Sequence, residues 1–203
     1  MSRKNDETRI RILKSALGLF ETCAGAEVRM SDIAKQAGIS RQALYLHFPA
    51  RSGLLIAAAR YVDEIKGIDA RLLGSRNAAT GIDRLNAFIE EWGNYIPEIY
   101  GVGKAFIAMK DSDEAVAAAW DDRMQAVRHG CAAAIKALKT DGMLSADYSV
   151  KRATDILWTI VSVGNWEQLT IECGWSQKKY VEAVQRLAAR SLLENPIRPS
   201  ACD

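Results

Sequence analysis

The sequence is poor in the residues that build metal centres and covalent frameworks. It has four cysteines and two histidines in 203 residues. Cys23, Cys131, Cys173 and Cys202 lie far apart with no CxxC pair, so neither a zinc site nor a disulfide framework is indicated, and buried or incidental thiols are expected. His129 and Cys131 stand two residues apart on a helical pattern and point different ways, while Asp121 and Asp122 are adjacent rather than facing. Neither pair has the geometry of a metal site or of an acid–base pair. There is no glycine loop to cradle phosphate and no nucleophile elbow, so an enzyme is not expected and no cofactor is implied. No apolar run approaches the ~18 residues of a membrane span, and the basic start MSRKNDETRI has no apolar stretch behind it. A cytoplasmic protein without a membrane partner is the expectation.

What is present is helix. Hydrophobic residues make up 49% of the chain and charged residues 26%, a balance that fits one or two globular domains with a true core. Ala, Leu, Ile, Glu, Lys and Arg recur at three- and four-residue spacing, no stretch alternates as a strand would, and only four prolines interrupt the pattern. The expected fold is all-α, with about nine helices and no internal repeat.

The net charge of +2 conceals an asymmetry. Residues 1–60 hold ten Lys/Arg against five acids, which leaves the remainder slightly acidic. A basic N-terminal part on an acidic body suggests a local face for a polyanion, although an ordinary solvated surface produces imbalances of this size too.

Along the chain, a first helix is expected from about Asp6 to Cys23, with Ile10, Leu13, Leu17 and Phe20 on one stripe, broken at Gly25. MSDIAKQAGIS then reads as a short helix with Ile33, Ala34 and Ala37 inward, a turn at Gly38, and Ser40 placed to cap the next helix. That next helix, RQALYLHF, puts Leu44 and Phe48 inward and leaves Arg41, Gln42, Tyr45 and His47 on the surface. A connecting helix is expected over about 51–73, then a linker, GSRNAAT. Four further helical stretches follow, with Pro97 expected to start a new helix and residues 149–173 to form a single one.

A helix, a glycine-containing turn and a second helix make a helix-turn-helix, in which the second helix enters the major groove of DNA. Arg41 suits guanine and Gln42 suits adenine, both at the start of the reading helix. Tyr45, His47 and Arg51 suit phosphate oxygens. A bare pair of short helices around a glycine is weak evidence; its combination with YLHF and a basic flank is stronger.

Residues 9–55, with ILKSALGLF, SDIAKQAGISRQALYLHF and RSGLL, resemble the DNA-binding domain of the tetracycline-repressor (TetR) family. The resemblance implies a three-helix DNA-binding domain over 1–50 and a helical ligand-binding and dimerisation domain over 51–203. It makes Arg41, Gln42, Ala43 and Leu46 neighbours of base edges. Tyr45, His47 and Arg51 become phosphate contacts, and Arg29 and Ser31 approach the DNA backbone. Two departures stand out. Arg29 occupies a place where the family often has a capping threonine, so that Ser31 caps instead or the helix start is looser. PARSGLL lacks the usual Ser cap and Glu, which predicts a weak first turn, frayed in the free protein and ordered on DNA.

The body offers Trp92, Trp120, Trp158 and Trp166 with Tyr95, Phe106, Met109 and Met124, a set suited to an apolar, flat ligand, although each residue alone is more often plain core. Glu91, Asp121 and Glu167 are acids that would meet a cationic ligand. Ile156, Ile160, Val163 and Gly164, with Val181, Val184, Leu187, Ala188 and Leu192 of the last helix, are expected to form a two-fold four-helix interface. The resulting expectation is a homodimeric regulator, a repressor by analogy, on a palindromic double-stranded DNA operator and released by a small molecule. The alternative is a small-molecule-binding or scaffold protein whose DNA unit is vestigial.

Overall fold

The computed structural model describes residues 3–22 and 28–194; Cys23, Gly25 and Cys202, which figure in the expectations above, lie outside the described residues. Eleven α-helices are assigned among the described residues: α1 (Arg3–Thr22), α2 (Met30–Gln36), α3 (Arg41–His47), α4 (Arg51–Lys66), α5 (Ile68–Arg71), α6 (Leu73–Arg76), α7 (Gly81–Met109), α8 (Glu114–Thr140), α9 (Val150–Ile160), α10 (Val163–Glu167) and α11 (Gln177–Leu192). A π-helical turn, Gln168–Glu172, prolongs α10. With α10 and that turn taken as one helix and the four-residue α5 and α6 set aside, nine helices remain, as the sequence predicts. No β-strand occurs among the described residues, only an isolated antiparallel bridge between Leu144 and Leu193.

The chain forms two compact units. The first holds residues up to Ile68 together with Pro97–Met124, the second Asp69–Ile96 and everything from Gln125. In the first unit α1 packs on α2 and α4, and α2 on α3. Its core joins Ile12, Leu13, Ala16, Leu17 and Phe20 of α1 to Ile33, Leu44, Phe48, Leu54, Leu55 and Ala58, with Val102, Phe106 and Val116 completing it. The inward stripe of α1 is therefore centred on Ile12, and Ile10, expected to face inward, is 42% exposed. Gly101 of α7 meets α1 so closely that a Cβ there would lie 2.5 Å from the Phe20 carbonyl oxygen.

The second unit buries Leu85, Ile89, Trp92 and Tyr95 of α7, Cys131, Ile135 and Leu138 of α8, and Tyr180, Val184 and Leu192 of α11. Helix α11 packs on α9 and on the π turn.

Three expected boundaries move, each for a local reason. The connecting helix stops at Lys66 rather than near residue 73, because Gly67 takes a left-handed conformation (φ 61°) and its N–H closes on the Asp63 carbonyl. Pro97 starts no helix; it lies inside α7. A proline has no N–H for the carbonyl four residues back, which here is Gly93, and Gln177 of α11 replaces the missing donor. Its Nε2 donates to Gly93 O at 2.8 Å and to Asn94 Oδ1 at 3.2 Å. The Gln177 Oε1 accepts from the Trp166 indole N–H at 2.8 Å. The expected 149–173 helix breaks at Val161 and Ser162, where the Ser162 hydroxyl caps α10. The Val161 carbonyl at this break accepts from the Trp92 indole at 2.8 Å.

Candidate nucleic-acid interface

Helix α2 ends in a turn built around Gly38. Ile39 N–H donates to Ala34 O at 3.0 Å and Gly38 N–H to Lys35 O at 3.1 Å, with Gly38 at φ 65°. This pairing closes the last carbonyls of the helix and needs a residue at ease in the left-handed region. Ser40 then starts α3, its hydroxyl accepting from the Ala43 N–H at 3.1 Å as its place in the sequence predicts. Ser31 does not take over the capping of α2. Instead the Asp32 carboxylate folds back to accept from the Arg29 backbone N–H at 3.3 Å, one half of a capping box, while the arginine side chain has no acceptor with which to make the other half.

Helix α3 has seven residues and one fully buried side chain, Leu44, followed by the buried Phe48 at its C-cap. Arg41, Gln42 and Leu46 are exposed, and Ala43, Tyr45 and His47 are half-buried. Leu46 is 82% exposed, an apolar side chain presented to solvent from the middle of a polar face. Tyr45 differs from a freely outward residue: its ring packs against the core while the Arg41 guanidinium lies 5.6 Å from the ring centroid. Arg29 and Ser31 are exposed at the start of α2.

A side chain that sequence reasoning left out of the site joins these elements. Arg9 of α1 donates from Nη1 to the His47 carbonyl at 3.3 Å, and its guanidinium sits 4.2 Å from the Phe48 ring centroid. The periodicity of α1 marks Arg9 only as off the apolar stripe; nothing in the sequence pairs it with residues 38 positions later.

Helix α4 begins at Arg51 with Ala50 at its N-cap and no side-chain cap, in agreement with the sequence reading of PARSG. Between α1 and α4 runs an open groove of about 500 Å³, lined by Asp6, Arg9, Ile10 and Leu13 on one side and Gly53, Ile56, Ala57, Arg60, Tyr61 and Glu64 on the other. None of the residues expected to hold a ligand lines it.

Those residues fall in both units. In the first, Phe106 is buried with the half-buried Trp120 at a ring separation of 6.0 Å, and Met109 packs on the same core; Met124 is half-buried. In the second, Trp92 and Tyr95 are buried 6.2 Å apart, Trp166 is buried on Gln177, and the half-buried Trp158 has the Arg128 guanidinium 5.8 Å from its ring. Glu91, expected as an acid for a cationic ligand, already holds Arg71 at 3.3 Å, and the same guanidinium lies 5.5 Å from the Tyr95 ring. Asp121 is exposed and Glu167 half-buried.

Of the residues expected at a dimer interface, Val163, Val181, Val184, Ala188 and Leu192 are buried within the chain itself. Ile156 and Ile160 are half-buried, and Gly164 and Leu187 are exposed. The repeating apolar positions of α11 serve the chain's own core first.

Comparison with known proteins agrees with this geometry. The chain is 27% identical over 99 residues to the nucleoid occlusion factor SlmA of Marinomonas sp. (strain MWYL1), covering 49% of this chain and 43% of that protein. It is 28% identical over 125 residues to the HTH-type transcriptional regulator EthR of Mycobacterium tuberculosis, covering 59% and 56%. The matches thus span about half the length of these relatives. Its fold follows that of a transcriptional regulator from Saccharomonospora viridis solved in complex with choline, with a TM-score of 0.80, 19% identity, and coverage of 94% of this chain and 100% of that one. Residues 12–58, which contain α2, α3 and the parts of α1 and α4 that brace them, match the family model of bacterial regulatory proteins, tetR family.

Proposed function

We propose that the chain is a homodimeric, ligand-responsive transcriptional regulator, a repressor that holds a palindromic operator through α3 of each copy. The observation that carries this reading is the exposed row Arg41, Gln42 and Leu46 on a short helix anchored from its other face by the buried Leu44 and Phe48. Arg41 offers two donors to guanine, Gln42 a donor and an acceptor to adenine, and Leu46 an apolar contact for a thymine methyl. Tyr45, His47 and Arg51 beside this row, with Ala43 near the bases and Arg29 and Ser31 on α2, serve the phosphates and fix register.

Residues 1–50 carry the DNA-binding role and residues 51–203 the ligand and dimer roles. The fold relative that holds choline supports a body able to take a small organic molecule, here one that is largely apolar or aromatic. Such a ligand releases DNA only by binding more tightly to the state that does not fit the operator. Self-association uses the apolar surface left on the last helices: Ile156, Ile160, Gly164 and Leu187.

The test is duplex binding over a salt series by the full chain, with sedimentation to give its mass. The reading expects a dimer and a log–log salt slope near −0.9 per phosphate neutralised. A monomer that binds no duplex would instead leave a ligand-binding or scaffold protein with a vestigial DNA unit.

A further inference from the structure

We infer that Arg9 is a positioning residue for DNA reading: it sets the orientation of α3 without touching DNA. The inference rests on the reading of α3 as the DNA-reading helix. Helix α3 is two turns long and has one fully buried side chain, far too short to hold its own shape by backbone hydrogen bonds. The packing of Leu44 and Tyr45 on the core holds its middle, and its two ends complete the setting of its direction. At the N-terminus Ser40 closes the Ala43 N–H. At the C-terminus the chain leaves the helix through Phe48 in an extended conformation (φ −139°, ψ 91°), so the His47 carbonyl has no helical N–H ahead of it.

Arg9 meets both features of this end. Its Nη1 donates to His47 O at 3.3 Å, and its Cζ lies over the ring of the buried Phe48, 4.2 Å from the centroid. A cation at a helix C-terminus also opposes the partial negative charge there. Because the planar guanidinium offers a face for the ring and an edge for the carbonyl at once, a lysine ammonium at the same place supplies the charge but not the two-point hold. Arg9 is rooted in α1, beside the core residues Ile12 and Leu13. The core of the first unit thereby fixes the tilt at which Arg41, Gln42 and Leu46 are presented. The charged groups near it on the groove walls are Asp6 on its own helix and Arg60 and Glu64 on α4.

The experiment uses the full-length chain with Arg9→Lys and Arg9→Met. The probes are a duplex enriched by the wild type from a random-sequence pool and a scrambled duplex of equal length. Both variants are expected to lose about tenfold or more on the enriched duplex while staying within about twofold on the scrambled one, with unchanged salt slopes. Amide exchange over residues 44–48 is expected to quicken about tenfold with exchange in α4 unchanged, which also shows that the variants remain folded. An equal loss on both duplexes with a slope reduced by about one would make Arg9 a phosphate contact and overturn the inference. Unchanged discrimination would overturn it as well. If the wild type enriches no sequence, the reading of α3 falls, and exchange alone judges the hold: faster exchange at 44–48 upholds it and unchanged exchange overturns it.

Discussion

The side-chain amide of Gln177 donates a 2.8 Å hydrogen bond to the carbonyl of Gly93, the acceptor that Pro97 leaves without a helical donor. With Trp166 on its other side, Gln177 satisfies an acceptor on α7 and an indole N–H on α10. Gln177→Ala should therefore destabilise the protein by about 2 kcal/mol, since unmade bonds of buried groups cost ~1–3 kcal/mol each. Pro97→Ala restores the backbone donor and should recover part of that loss in the double variant. Denaturant unfolding followed by tryptophan fluorescence measures both.

Three glycines should respond in opposite directions. Gly101→Ala places a methyl 2.5 Å from a backbone oxygen of α1 and should cost about 1–3 kcal/mol as overpacking. Gly38→Ala strains a residue held at φ 65° and should cost ~1 kcal/mol. Gly53→Ala, in α4 with nothing within 4 Å of the new methyl and no left-handed backbone, should stabilise by ~0.5–1 kcal/mol. Thermal unfolding of the three variants orders them.

The uncapped start of α4 is open to repair. Ala50→Ser supplies the missing acceptor at the N-cap and should add about 0.5–2 kcal/mol. In the wild type, amides of residues 52–56 should exchange faster in the free protein than with DNA bound; equal protection in both states would contradict a start of α4 that is ordered by DNA.

Burial pushes the Cys131 thiol up to about 12 from its ordinary value near 9. The folded state keeps this proton where the unfolded chain releases it, so the group's contribution is complete below pH 9 and is lost as pH rises toward 12. Stability should decline through that window, and Cys131→Ala should flatten the decline. The Tyr180 hydroxyl is also shifted upward by burial and has no hydrogen-bond partner among the described residues, so Tyr180→Phe should leave stability at neutral pH unchanged or raise it by about 1 kcal/mol. In alkylation followed by peptide mapping, Cys173, which is exposed, should react in the native protein and Cys131 only on unfolding.

The reading unit was legible because its signals are local. Gly38, Ser40, Leu44 and Phe48 act within a few residues of one another, and the turn, the cap and the two anchors stand where their spacing puts them. The missing cap at Ala50 was equally plain. What escaped depends on partners distant in the chain. Pro97 reads as a helix start until Gln177, 80 residues on, is seen to replace its donor. The apolar positions Val181, Val184 and Leu192 read equally well as interface or core, because periodicity names a face and not what covers it. Arg9 carries no sequence mark of its pairing with His47 and Phe48.

The central claim, that α3 reads DNA sequence through Arg41 and Gln42, is tested most directly by selection from a random duplex pool with the full chain and with Arg41→Ala. The account predicts that the wild type enriches a two-fold symmetric sequence with half-sites one helical turn, about 34–36 Å, or a multiple apart. Arg41→Ala should lose preference at one base pair of each half-site, at a cost of about 1–3 kcal/mol. Enrichment of no sequence by the wild type, or an unchanged sequence from the variant, would contradict it.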